Sequence, residues 1–116
     1  MLAHGGLLIT SAGFGAMENQ PKDVLPLANA ARAQQINSSR LHIPFITVTD
    51  SVNGIYLING TFFPSSLAMA SSWNVPLYGD AISVIREENV ALGVNWVLSP
   101  ELDLAKDPRN GRVGEM

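Results

Sequence analysis

Residues 94–112 read VNWVLSPELDLAKDPRNGR, an apolar run that stops at Ser99-Pro100 and continues as a polar loop with several charges. This pattern is typical of a buried parallel strand that delivers functional side chains into the loop at its carboxyl end. Residues 43–50, IPFITVTD, follow the same pattern, because an apolar run again ends in a carboxylate, Asp50. Two such strands with a helix between them predict a site built on an α/β scaffold.

The sequence pattern predicts strands, helices and one hairpin along the chain. Three segments are predicted to be strands: 6–10, 45–49 and 94–98. Two segments are predicted to be helices, 22–37 and 75–92, the second capped by Asn74 and ended by Gly93 in a left-handed conformation. Asn59-Gly60 predicts a small hairpin within residues 55–63.

Apolar spacing also predicts which side chains face the core. Four side chains of the first helix are expected to face the core: Val24, Leu27, Ala28 and Ala31. Four side chains of the second helix are also expected to face it: Tyr78, Ile82, Ile85 and Leu92. Core positions are also expected for Trp73 and Trp96.

The fold class is therefore α/β, a partial (β/α)8 TIM barrel comprising about the first three β-strands and two connecting helices. Parallel strands need both faces of their sheet covered, and a closed barrel needs eight strand–helix units over roughly 250 residues. At 116 residues the chain is expected to be one piece of such a domain.

Composition excludes several function classes. The chain is 47% hydrophobic and 15% charged with a net charge of −3, so a basic surface for nucleic acid is not expected. No apolar run is long enough for a membrane span. No cofactor is expected, because Glu18 stands where the third glycine of a dinucleotide loop would follow Gly13-Phe14-Gly15. No metal site is expected, since His4 and His42 have no second ligand at a suitable spacing.

Asp50 is the first candidate functional residue. A carboxylate at the end of a parallel strand can accept hydrogen bonds from two neighbouring sugar hydroxyls, and its charge strengthens such bonds. The alternative is an aspartate that only stabilises the following turn, which Ser51, Asn53 and Gly54 favour.

The loop at 106–112 carries two arginines, Arg109 and Arg112. Either it is a solvated loop with local Asp–Arg pairing, or one guanidinium points into a site while the other holds the loop. Glu101 and Asp103 could form a pair of catalytic carboxylates, but most such pairs are solvated loop charges, and we do not assign them that role.

With these residues in view, the chain resembles the amino-terminal catalytic domain of glycoside hydrolase family 3, the β-glucosidases and β-xylosidases. Four segments carry the resemblance in order: residues 39–44 before the strand that ends at Asp50, 60–64 (GTFFP), 91–96 (ALGVNW) and 107–113 (DPRNGRV). The resemblance spans nearly all of residues 1–116. It implies a retaining exo-glycosidase that removes β-linked sugars from non-reducing ends of a β-glucoside or oligosaccharide.

The resemblance also implies roles for four residues. Asp50 and Arg112 would bind hydroxyls of the sugar that is cleaved, while Asp107 and Arg109 would shape the loop that aims Arg112. The family's nucleophile, its general acid and a sugar-binding Lys-His pair match no position up to residue 116. We therefore expect no catalytic residue in this chain, and expect the chain to be inactive and poorly folded alone.

Two departures and two rival interpretations stay open. Asn110 stands where the family often has an aromatic residue, and Asn53-Gly54 where it often has His-Gly. The alternatives are a small non-catalytic α/β binding or interaction module, and a reading frame without a stable product. The amino terminus lacks the features of a signal peptide, and localisation is left unassigned.

Overall fold

A computed structural model describes residues 20–104 and 106–113 of the chain. Five elements follow one another: helix α1 (Pro21–Ser38), strand β1 (Val48–Thr49), helix α2 (Ser66–Ala70), helix α3 (Val75–Ala91) and strand β2 (Trp96–Val97). The strand predicted at 6–10 lies outside the described residues and stays a prediction.

Strands β1 and β2 are parallel neighbours, with Val48 opposite Trp96 and Thr49 opposite Val97. The chain passes from one to the other through α2 and α3, which makes the described part an α/β arrangement. The ladder is shorter than the predicted strands. The N–H groups of Asn95 and Trp96 both donate to the carbonyl of Thr47, and this shared acceptor interrupts the regular alternation before β2.

Helix α1 begins and ends within one residue of its predicted limits, and its proline at the first turn lacks only a donor that would be unpaired there. The prediction that Leu27 faces the core is wrong, because Leu27 is 72% exposed. The buried side of α1 passes through Val24 and Gln35, and Leu27 lies at its margin.

Helix α3 confirms the predicted cap and stop. The side chain of Asn74 accepts a hydrogen bond from Leu77 N at 3.1 Å, and Gly93 adopts φ +74 after the helix. The predicted inner face is only partly right: Ile85 is buried but Ile82 is 38% exposed. Helix α3 is rotated relative to the prediction, and the residues that share its buried face are spaced four apart: Ala81, Ile85 and Asn89.

The predicted hairpin is a compact excursion with one antiparallel bridge, Gly54 to Phe62. Asn59 takes φ +66 at the turn, as the Asn-Gly pair predicts. The excursion belongs to the core of the fold. One cluster of buried residues joins it to α1 and to the chain around β2: Val24, Ile55, Leu57, Leu92 and Val94.

Both tryptophans are exposed, and the prediction of core roles for them is wrong. Trp73, in the connection between α2 and α3, is 91% exposed, and Trp96 on β2 is 48% exposed. Within the described part of the chain the sheet has two strands, so both are edge strands and Trp96 has few neighbours to cover it.

Candidate functional site

The carboxyl ends of β1 and β2 form one edge of the sheet, and this edge is the candidate site. Asp50 follows β1 directly and its side chain is exposed, while Ser99 lies two residues beyond β2. The hydroxyl of Ser99 donates a hydrogen bond to the backbone carbonyl of Asp50. Parallel pairing therefore brings the loop that carries Asp50 next to the loop that follows β2.

Behind Asp50 lies a buried polar pair that the sequence analysis missed. The Ser51 hydroxyl donates to Asn89 Oδ1 at 3.0 Å, and Asn89 Nδ2 donates to the carbonyl of Ile85 at 2.8 Å. Ser51 adopts φ +43, a conformation that non-glycine residues adopt only where their surroundings hold them. One signal could have found the pair: Asn89 stands four residues after Ile85, on the inner face of an amphipathic helix.

The loop after β2 contains a bidentate ion pair between Asp107 and Arg109. Arg109 Nη2 lies 2.6 Å from Asp107 Oδ2, and Arg109 Nε lies 2.9 Å from Oδ1. Hydrogen bonds from the side chain of Arg109, and then from its backbone N–H, hold the pKa of Asp107 below its ordinary value. The pairing also raises the pKa of Arg109. This is the local pairing that the solvated-loop interpretation expects.

Arg112 lies three residues further along the same loop. Its Nη2 is 3.3 Å from Glu101 Oε1, and its backbone N–H donates to Asn110 Oδ1 at 3.0 Å. Glu101 thus contacts an arginine, and Asp103 is exposed. The structure brings Asp107 and Arg109 into contact, and it positions Asp50 and Arg112 on loops that leave the same edge of the sheet.

Arg32 is a second residue that sequence reasoning missed. From the side of α1 it donates through Nη2 to Thr47 Oγ1 at 2.9 Å and to the carbonyl of Gly93 at 3.0 Å. Its guanidinium lies 5.9 Å from the centre of the Phe45 ring. Arg32 therefore links α1 to the chain just before each strand. The sequence feature that could have indicated this role is the position of Arg32, a charged residue on the largely apolar side of α1.

A groove of about 330 Å³ runs beside the site edge between α3 and β2, and Ser51, Asn89 and Ser99 are among its lining residues. Among residues 20–104 and 106–113, no group of three or more His, Asp or Glu side chains could hold a metal ion. In the same described ranges no helix has the length and apolar character to cross a bilayer.

Comparison with known proteins assigns the chain to a family. A model of the glycosyl hydrolase family 3 N terminal domain matches residues 3–116. The chain belongs to glycosyl hydrolase family 3. The amino-terminal domain of this family has a TIM-barrel-like fold, and the two parallel strands with intervening helices fit part of such an α/β fold.

Several curated relatives have family 3 names. A putative beta-xylosidase of Formosa agariphila is 32% identical over 108 residues, which cover 89% of this chain and 14% of that protein. A lysosomal beta glucosidase of Dictyostelium discoideum is 30% identical over 92 residues, covering 78% of this chain and 11% of that protein. A periplasmic beta-glucosidase of Salmonella typhimurium is 38% identical over 77 residues, covering 66% and 10%. The chain thus spans about a tenth of the length of these family 3 relatives.

Proposed function

We propose that residues 1–116 are an amino-terminal piece of a family 3 catalytic barrel and supply part of one sugar subsite. The parent reaction would be hydrolysis of β-linked sugars at non-reducing ends with retention of configuration. The observation that carries this proposal is the parallel pairing of β1 with β2, because it brings the Asp50 loop and the Arg112 loop to one edge. The names of the relatives, beta-glucosidase and beta-xylosidase, favour the same class of substrate.

Asp50 and Arg112 would divide the recognition of one pyranose. The exposed carboxylate of Asp50 can accept hydrogen bonds from two adjacent hydroxyls. The guanidinium of Arg112 is donor-only and planar, so it would donate to another hydroxyl oxygen of the same ring. Both residues would position the sugar, and such contacts contribute to the rate when they tighten at an oxocarbenium-like transition state.

The Asp107–Arg109 pair would act on Arg112 through the loop. Asn110 N donates to the carbonyl of Asp107 at 3.1 Å, which closes the turn, and the side chain of Asn110 accepts from Arg112 N at 3.0 Å. The ion pair therefore fixes Asp107, the first residue of the turn. Asn110 closes this turn, and its side chain in turn orients the backbone of Arg112. Such an exposed pair contributes little to overall stability, so its role would be local.

The bond-breaking steps need a carboxylate nucleophile and an acid/base group. We assign neither role to a residue of this chain. Glu101 is engaged with Arg112, and Asp103 belongs to the same exposed loop. The chain alone is expected to leave an aryl β-glucoside intact. If the chain hydrolysed the glucoside and the Asp50→Ala variant did not, the bond-breaking residues would be misassigned.

Sugar binding is the direct test of this function. Isotope-labelled chain would be titrated with methyl β-glucoside, methyl β-xyloside and, separately, a nucleotide, while amide shifts are followed by NMR. We expect the sugars to shift signals around Asp50 and Arg112, and Asp50→Asn to weaken binding by about tenfold, since a hydrogen bond to a charged group contributes about 1.5–3 kcal/mol and Asp50 is exposed. The matched control Asp103→Asn should leave the affinity unchanged.

Binding of neither sugar would contradict the proposal, and so would either of two other results. One is equal loss of affinity in Asp50→Asn and Asp103→Asn, which would indicate a general charge effect. The other is binding of the nucleotide without binding of either sugar, which would favour the alternative of a small α/β binding module.

A further inference from the structure

We infer that Asn89 is a positioning residue for Asp50 and that it acts through Ser51. The inference rests on the proposed function, because it concerns the direction in which the Asp50 carboxylate is presented. Asn89 is on α3 and is 2% exposed, while Asp50 is at the exposed edge of the sheet. Their connection is the buried hydrogen bond from Ser51 Oγ to Asn89 Oδ1.

The side chain of Asn89 has one defined orientation. An asparagine amide has one acceptor oxygen and one donor nitrogen, and their assignment follows from the hydrogen-bond network. Nδ2 donates to the carbonyl of Ile85 one turn earlier in α3, so Oδ1 must face Ser51. The amide is therefore fixed at both ends and offers Ser51 a single acceptor in one direction.

Ser51 has a backbone conformation that is unusual for a residue other than glycine. Its φ of +43 lies in the left-handed region, which L-residues with a Cβ rarely adopt, and its side chain is buried. Such a conformation persists where surrounding contacts determine it. The hydrogen bond to Asn89 is the side-chain contact that holds Ser51 there, and the peptide that Ser51 shares with Asp50 is turned accordingly.

Asp50 is held from both sides. On the β2 side, Ser99 Oγ donates to the carbonyl of Asp50. On the α3 side, Asn89 holds Ser51, and the backbone carbonyl of Asn89 also accepts from Val94 N at 3.0 Å. Asn89 therefore contacts the chain after β1 with its side chain and the chain before β2 with its backbone. A shift of Asn89 would move the Asp50 loop relative to the strand that leads to Arg112.

A double-mutant cycle tests the inference on the full chain. Asn89→Leu replaces the amide by an apolar group of similar size, and Ser51→Ala removes the hydroxyl. Asn89→Leu and Ser51→Ala are each expected to change the residual dipolar coupling of the Asp50 Cα–Hα bond, which reports the direction in which the side chain of Asp50 leaves the backbone. We also expect each to weaken binding of methyl β-glucoside by about fivefold, and the double variant to bind no more weakly than either single one. The matched control is Ser83→Ala, which deletes another α3 side-chain hydrogen bond, from Ser83 Oγ to Gly79 O at 2.9 Å.

Ser51→Gly keeps the experiment decisive if larger changes unfold the chain. Glycine accepts φ +43 without strain, so this variant adds no strain to the fold but loses the hydroxyl bond that fixes the backbone direction at residue 51. It should move the Asp50 coupling while the amide signals of α1 stay in place. An unchanged Asp50 coupling in Ser51→Gly and Asn89→Leu would overturn the inference. So would affinity losses that multiply in the double variant.

A result that contradicts the proposed function can be distinguished from one that contradicts the role of Asn89. If the unaltered chain bound neither sugar, the assignment of a sugar subsite would fall. The dipolar couplings of Asp50 would still decide whether Asn89 sets its direction, because that readout requires no ligand.

Discussion

Replacing Arg32 by methionine tests whether the attachment of α1 holds the two strands together. Methionine keeps an apolar stem of similar length but removes the guanidinium. The change deletes hydrogen bonds from Nη2 to Thr47 Oγ1 at 2.9 Å, to Gly93 O at 3.0 Å and to Asn95 Oδ1 at 3.3 Å. It also deletes the contact of the guanidinium with the Phe45 ring.

The magnitude follows from the burial of each partner. Thr47 is fully buried, and leaving its hydroxyl without this donor costs about 1–3 kcal/mol. The bonds to the more exposed acceptors at Gly93 and Asn95, and the ring contact with Phe45, together add about 1–2 kcal/mol. Removal of Arg32 Nε, which is buried without a hydrogen-bond partner, returns about 1 kcal/mol. We therefore expect Arg32→Met to lower the free energy of unfolding by about 1–4 kcal/mol.

Urea denaturation followed by circular dichroism measures this free energy, with Arg40→Met as the control on an exposed residue. The control should change the free energy of unfolding by less than about 0.5 kcal/mol. Thr47→Val in the Arg32→Met background should cost much less than Thr47→Val alone, since the two groups share a bond. Equal free energies for the two arginine variants, or additive effects with Thr47→Val, would refute the reasoning.

Two further predictions concern the excursion and the loop after β2. Gly54→Ala should destabilise the chain by about 2–4 kcal/mol, because φ is +135 and a Cβ would clash with the carbonyl oxygen of Thr61. Gly79→Ala, in an open position of α3, should instead stabilise the chain by about 0.5–1 kcal/mol, and equal thermal shifts for the two variants would contradict this. The Asp107–Arg109 pair should be present above the ordinary pKa of Asp107 and be lost as pH falls through its lowered value. The Arg109 amide shift should therefore titrate with a midpoint below the ordinary value of an aspartate. In Arg109→Gln the midpoint measured on the Asp107 carboxyl should rise, and an identical midpoint in both proteins would count against the pairing.

The limits of the helices could be predicted from the sequence because their signals are local. Asn74 caps α3 through a residue three positions away, and Gly93 ends it by its own backbone freedom. The same is true of Asn59 at the turn of the excursion. Each of these features depends on the chemistry of one or two neighbouring residues, which the sequence displays directly.

The inner faces of the helices could be predicted only in part, because burial depends on distant partners. Leu27 is apolar but lies at the margin of α1, and Trp96 is on an edge strand within the described part of the chain. Asn89 is polar but buried, since Ser51, 38 residues earlier, satisfies its side-chain oxygen. Hydrophobic spacing carries no information about such a partner.

The residues of the candidate site could likewise be predicted only in part. Asp50 could be selected because it follows an apolar run, and Asp107 and Arg109 could be paired because they are two residues apart. Arg32 contacts Gly93 across 61 positions of sequence, and Ser99 contacts Asp50 across 49. These contacts exist only once β1 and β2 have paired, so the sequence alone did not reveal the residues that support the site.

The proposed function requires that Asp50 and Arg112 contact one sugar ring. A crystal structure of the chain with methyl β-glucoside would show whether they do. We expect a carboxylate oxygen of Asp50 and a guanidinium nitrogen of Arg112 each to lie about 3 Å from hydroxyls of the same pyranose. A sugar bound elsewhere, or two groups too far apart to reach a common ring, would contradict it.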